Sequence, residues 1–248
     1  MTGQPQPLLS VRGLEKTFGG FRALNAFDID IYPNERIGII GPNGAGKSTL
    51  VNSLTGAVRA DKGQVSFDGH DINRMVAHKR ARLGLTRSFQ LPRPFKSMSV
   101  LQNVLVPIAY ARPSRENTSY DLAHATSEAE EILRSIGLGS KMQAPAISLT
   151  QVEMRKLELA RAMAAKPKLL FSDEAMAGLS DSEVDEVLDL LFTINRAGVA
   201  IVMIEHIIKA VTRFSQRIVV LVAGQKIADG VPQDVLRLPE VERAYLGE

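Results

Sequence analysis

The chain has 248 residues, 45% of them hydrophobic and 23% charged, with 30 basic against 27 acidic side chains and no cysteine. That is ordinary globular composition, enough for one sizeable core, and it excludes a disulfide scaffold and a thiolate metal site. The net charge of +3 leans weakly toward an anionic partner such as a nucleotide, a nucleic acid or a lipid surface.

Residues 1–7 read as a flexible tail without the charged and apolar regions of a signal peptide. The longest apolar runs, such as 218–223, fall far short of the ~20 residues that span a bilayer. The chain therefore reads as soluble, reaching a membrane only through a partner. Residues 8–40 read as β structure. Residues 27–31 alternate apolar and polar, as in a strand with one wet face, and 36–40 form a short apolar run that reads as a buried strand. A glycine-rich loop follows, then a helix over about 47–55, then a short strand over 63–69. The densest basic stretch, His78 to Arg82, reads as a solvated helix face.

Residues 92–165 change texture: helical patterns dominate and strand-like runs stop. This reads as a helical lobe inserted into a core made of 8–91 and 166–248, within one domain spanning 1–248. From 168 the alternation returns. A buried strand at 169–171 precedes a Ser180–Glu183 capping box and a helix whose apolar residues run from Val184 to Ile194, ended by Gly198. A strand at 199–204, a helix at 207–214, a strand at 217–222 and a turn into 226–228 complete the pattern. Strands alternating with helices imply a parallel sheet with crossover helices.

Gly41, Pro42, Asn43, Gly44, Ala45, Gly46, Lys47 and Ser48 match G-x-x-x-x-G-K-[ST], followed by Thr49. Glycines let backbone N–H groups turn toward phosphate oxygens, and the helix that follows points its positive end at the same anion. Lys47 would reach the β and γ phosphates of ATP, and the Ser48 hydroxyl would complete the coordination of Mg²⁺. The motif follows an apolar strand and opens a helix, the context it requires.

The strand at 169–171 runs into Ser172, Asp173 and Glu174. Ligands of open parallel sheets bind beyond the carboxyl ends of strands. Asp173 is thus placed to hold Mg²⁺, and Glu174 to polarise the water that attacks the γ-phosphate. His206 follows the neighbouring strand and could donate a hydrogen bond to that phosphate. Gln90 precedes a proline-rich stretch, where it is a surface loop residue or a contact to Mg²⁺ or the attacking water. Phe18, beside Gly19 and Gly20, divides evenly between a core residue and a platform for a purine ring.

Together these segments resemble the nucleotide-binding subunit of an ABC transporter, over nearly the whole chain and in the expected order. Within that family the chain is most similar to the branched-chain amino acid group, through residues 18–24, 100–105, 155–161 and 204–206. The resemblance implies a P-loop NTPase core with a parallel sheet, an N-terminal antiparallel β subdomain and an inserted helical subdomain. It implies ATP and Mg²⁺, Gln90 at the active site, and a second ATP-binding subunit that completes each site with its signature segment. It further implies two membrane-spanning permease subunits, an extracytoplasmic solute-binding protein, no nucleic acid, and peripheral attachment at the cytoplasmic face of the inner membrane.

The sequence departs from the family at its signature, roughly Leu-Ser-Gly-Gly-Gln. Leu149, Thr150, Gln151, Val152 and Glu153 stand there. Thr150 keeps a hydroxyl, but both glycines are gone. Ala175 also replaces the usual proline after Glu174. The expectation is an asymmetric pair, in which the site that Thr150 and Gln151 complete is the slower one. Two other readings stand beside it: a nucleotide-dependent module with little hydrolysis, and a soluble ABC ATPase acting on DNA or the ribosome.

Overall fold

The computed structural model describes residues 6–88, 94–111 and 121–246. In chain order, β1 (Leu9–Phe18), β2 (Phe21–Ile31) and β3 (Arg36–Ile40) lead into α1 (Lys47–Thr55). Next come β4 (Lys62–Phe67), β5 (His70–Asp71), α2 (Ala77–Leu83) and β6 (Leu85–Ser88). Helices α3 (Val100–Ala111), α4 (Leu122–Ser135) and α5 (Gln151–Ala164) follow, with 3-10 turns at Gly139–Lys141 and Ala146–Ser148. The chain then runs through β7 (Leu169–Asp173), α6 (Asp181–Arg196), β8 (Ala200–Ile204), α7 (Ile208–Phe214), β9 (Arg217–Val222) and β10 (Gln225–Gly230), and ends in α8 (Pro232–Val235) and α9 (Pro239–Leu246).

Two sheets result. The larger has the order β10-β9-β3-β8-β7-β6, parallel except where β10 turns back on β9. The smaller, β2-β1-β4-β5, is antiparallel. Side chains alternate faces along a strand, and this divides the core. Ala200, Val202 and Ile204 of β8 pack with α1 and the antiparallel sheet, while Ile201 and Met203 pack with α6 and α7. On β9, Val219 and Leu221 take the first side and Ile218 and Val220 the second. Both faces of the larger sheet are thus buried, which is why its strands read as continuous apolar runs.

Helices α3, α4 and α5 build a third core of their own around Val104, Ala129, Leu133, Leu157 and Ala160. The expected helix over 47–55 is α1, and the expected cap forms: the Glu183 carboxylate accepts the Ser180 N–H at 2.8 Å and the Ser180 hydroxyl at 2.8 Å.

The basic stretch at 78–82 is not only a solvated face. Arg80 is 3% exposed. Its guanidinium donates to the carbonyls of Ser53 (2.9 Å), Leu54 (2.7 Å) and Met75 (2.8 Å). Two of these carbonyls belong to the last turn of α1, which its own helix leaves without partners. Arg80 therefore closes the helix that begins at the phosphate loop. Replacing it by methionine (Arg80→Met) leaves those carbonyls buried and unmet, and is expected to cost about 2–3 kcal/mol in urea unfolding; an unchanged midpoint would show that water takes the guanidinium's place.

Candidate functional site

The loop after β3 owes its shape to close backbone packing. Gly46 takes φ 103, and a Cβ on it would lie 2.4 Å from the Ala23 carbonyl oxygen. A Cβ on Gly41 would lie 2.1 Å from the Leu221 carbonyl oxygen. Only glycine fits at either point. Helix α1 starts directly from this loop with no side-chain cap and no acidic residue in its first turn. Its first N–H groups and the positive end of its dipole are left for an anion. Lys47 is buried and donates to the carbonyls of Gly41 at 2.7 Å and Pro42 at 3.0 Å. Burial pulls its pKa down, against the charges of Glu174 and Asp173.

Strand β7 delivers the acidic pair. Asp173 is 3% exposed and meets Arg87 of β6 at 2.5 Å. Burial pushes its carboxyl up, and Arg87 opposes that. One residue later the chain turns sharply: Glu174 has φ 48 and donates its N–H to the Ile204 carbonyl at 2.8 Å. The turn brings Glu174 Oε1 to 3.0 Å from His206 Nε2, which follows the adjacent strand β8. Between β8 and His206 lies Glu205, 3% exposed, whose Oε1 accepts the Met176 N–H at 2.9 Å. Burial pushes its carboxyl up to about 7.

One cleft of about 270 Å³ gathers Phe18, Phe21, loop residues 43–49, Glu174 and His206. Gly41 and Pro42 stand behind it, holding Lys47 by their carbonyls. Phe18 is 47% exposed, with Lys16 Nζ 5.1 Å from the centre of its ring. It is therefore no core residue but an open aromatic face beside the phosphate loop. Phe21, its cross-strand neighbour over the Gly19–Gly20 turn, was not singled out from sequence, although the two-glycine hairpin is a signal that it flanks the same cleft. Arg87 and Glu205 were also missed, and nothing local in the sequence marks them. Gln90 lies outside the described residues.

Thr150 and Gln151 do not line this cleft. They open α5, where the Thr150 N–H donates to Glu153 Oε2 at 2.9 Å and the Glu153 N–H to the Thr150 hydroxyl at 3.4 Å. Gln151 Nε2 donates to the Ala177 carbonyl at 3.2 Å.

Comparison with known proteins agrees with this geometry. The ABC transporter family profile matches residues 24–177. The chain is 37% identical over 256 residues to the high-affinity branched-chain amino acid transport ATP-binding protein LivG of Escherichia coli (strain K12), covering 98% of this chain and 99% of that one. It is 34% identical over 245 residues to a probable branched-chain amino acid transport ATP-binding protein LivG of Archaeoglobus fulgidus, covering 97% and 95%. Among solved structures, the ADP conformation of an ATP-binding cassette of an ABC transporter superposes with a TM-score of 0.87 at 30% identity, covering 98% of this chain and 100% of that one. A profile that spans more than half of the chain, and relatives a third identical along nearly all of it, show that this protein belongs to the ABC transporter family.

Proposed function

We propose that the chain powers import of branched-chain amino acids, or a related small solute, by hydrolysing ATP in the cleft beneath Phe18. The observation that carries the mechanism is the Glu174–His206 pair, 3.0 Å apart in the cleft that also holds Lys47. Phe18 stacks on the adenine. The loop amides and Lys47 hold the phosphates. Glu174 takes a proton from the attacking water, and His206 orients it and donates toward the γ-phosphate. The site offers hard oxygen donors that would hold Mg²⁺: the exposed Ser48 hydroxyl, and behind the cleft the buried Asp173 carboxylate, which is paired with Arg87. When bound, Mg²⁺ offsets the charge that develops on the phosphate oxygens.

The resemblance to transport subunits supports two permease partners and, through them, a solute-binding protein. No described helix is long and apolar enough to cross a membrane, in keeping with peripheral attachment at the cytoplasmic face of the inner membrane. A groove of about 510 Å³ between α2, β6, α3 and α5, with Leu85, Val106, Pro107 and Tyr110 on its walls beside the charged Arg82 and Glu158, supports docking of a permease segment there.

The pair of ATP-binding subunits is asymmetric in this reading. The N-terminus of α5 would have to meet a phosphate on the partner's nucleotide. Here Glu153 already takes the Thr150 N–H, and its other oxygen pairs with Lys141 at 2.6 Å. A carboxylate seated at that helix N-terminus repels a phosphate approaching its remaining N–H groups.

Two experiments test these readings. Glu174→Gln should keep nucleotide affinity within about threefold while turnover falls about 100-fold or more; phosphate release at the normal rate would remove Glu174 from the role of base. In the complete transporter, Lys47→Ala in this chain should leave only slow turnover, and adding Val152→Gly with Glu153→Gln should raise that remainder about tenfold. Full-rate, positively cooperative hydrolysis by the chain alone as a homodimer would rule the asymmetry out.

A further inference from the structure

Glu174 is only as well placed as the turn that carries it. Its φ of 48 is sparsely populated for a residue with a Cβ, so the surroundings must hold it there. The Ala177 N–H closes the turn onto the Glu174 carbonyl at 3.3 Å. Within the turn Ala175 and Met176 are buried, so the Met176 amide needs a partner inside the protein. That partner is Glu205, at 2.9 Å.

Glu205 is also the residue directly before His206, so its backbone carries the imidazole that meets Glu174. One buried side chain therefore joins the segment that carries Glu174 to the residue that Glu174 meets. Arg155 of α5, 4% exposed, lies close enough for its charge to favour the ionised form of Glu205, whereas the charge of Glu174 opposes it. Helix α5 also holds the far end of the turn through Gln151 and the Ala177 carbonyl. A buried carboxylate is a costly acceptor, and the upward push on Glu205 records that cost. A neutral amide keeps an acceptor oxygen for the Met176 N–H, whereas an apolar side chain offers none.

We propose that Glu205 is a positioning residue for ATP hydrolysis: its carboxylate holds the Met176 amide beside the backbone of His206 and so keeps Glu174 in register with His206. Gln151 of α5 closes the far end of the same turn. The inference rests on the reading of Glu174 as the base.

The test compares Glu205→Gln, which keeps one acceptor, with Glu205→Met, which keeps none, in the full-length chain within its transport complex. Turnover of ATP and affinity for mant-ATP are measured on both. Turnover should fall in a graded way, about threefold for Gln and about 10- to 100-fold for Met, as expected when a catalytic group is displaced slightly. KM and mant-ATP affinity should stay within about threefold. In a Glu174→Gln background, Glu205→Met should reduce the residual rate no further. If Glu205→Met does not fold, Glu205→Ala is read in its place. Normal turnover in the Met variant overturns the proposal, as does a loss of nucleotide affinity in step with turnover. If Glu174→Gln alone retains turnover, the base assignment fails and this inference with it. If Glu174→Gln is inactive and Glu205→Met is not impaired, only the positioning role fails.

Discussion

The phosphate loop sits where two sheets meet, and that junction leaves no room for a side chain. The Ala23 carbonyl of β2 comes within 2.4 Å of where a Gly46 Cβ would stand, and within 2.7 Å of where one on Gly224 would stand. The Gly224 N–H donates to the Ala45 carbonyl at 2.9 Å, and the Asn25 N–H to the Gly224 carbonyl at 2.9 Å. The loop is thus gripped on one side by the antiparallel sheet and on the other by the β9–β10 turn. Once it is gripped, its amides have a fixed direction, α1 has a fixed start, and Phe18 has a fixed distance to reach over the cleft.

The rest of the site divides into a rigid half and a conditional half. Lys47 and the loop glycines depend on backbone packing within the main core. Glu174 depends instead on a left-handed turn, on Glu205 beneath it and on the neighbouring wall of α5. The two halves therefore answer to different parts of the fold. Anything that shifts α5 acts first on the half that holds Glu174.

The inner strands β8 and β9 of the larger sheet were legible because both of their faces are buried, so Ile201 to Ile204 and Ile218 to Val222 carry the apolar content that a buried strand requires. The loop at 41–48 was legible because the chemistry restricts its residue types. Strand β6 was not, since its four residues, Leu85 to Ser88, include Thr86 and Arg87, and Arg87 is there to meet Asp173. Arg80 read as part of a solvated face, and Glu205 carried no reading of its own, because burial is decided by elements far away in sequence. The residues Thr150 to Glu153 spell a capping box. Read only as a weakened signature, they hid the fact that the Glu153 carboxylate takes the Thr150 N–H at the head of α5.

The junction also links the nucleotide to folding. Ala23 and Gly224 are roughly two hundred residues apart in the chain, yet they touch at the loop. The cleft exists only after the two ends of the sequence have come together, so a nucleotide recognises the completed fold and nothing short of it. By mass action, ATP at a hundred times its Kd adds about 2.7 kcal/mol to the stability of such a chain. The energy charge of the cell thereby enters the folding equilibrium of the protein that consumes it.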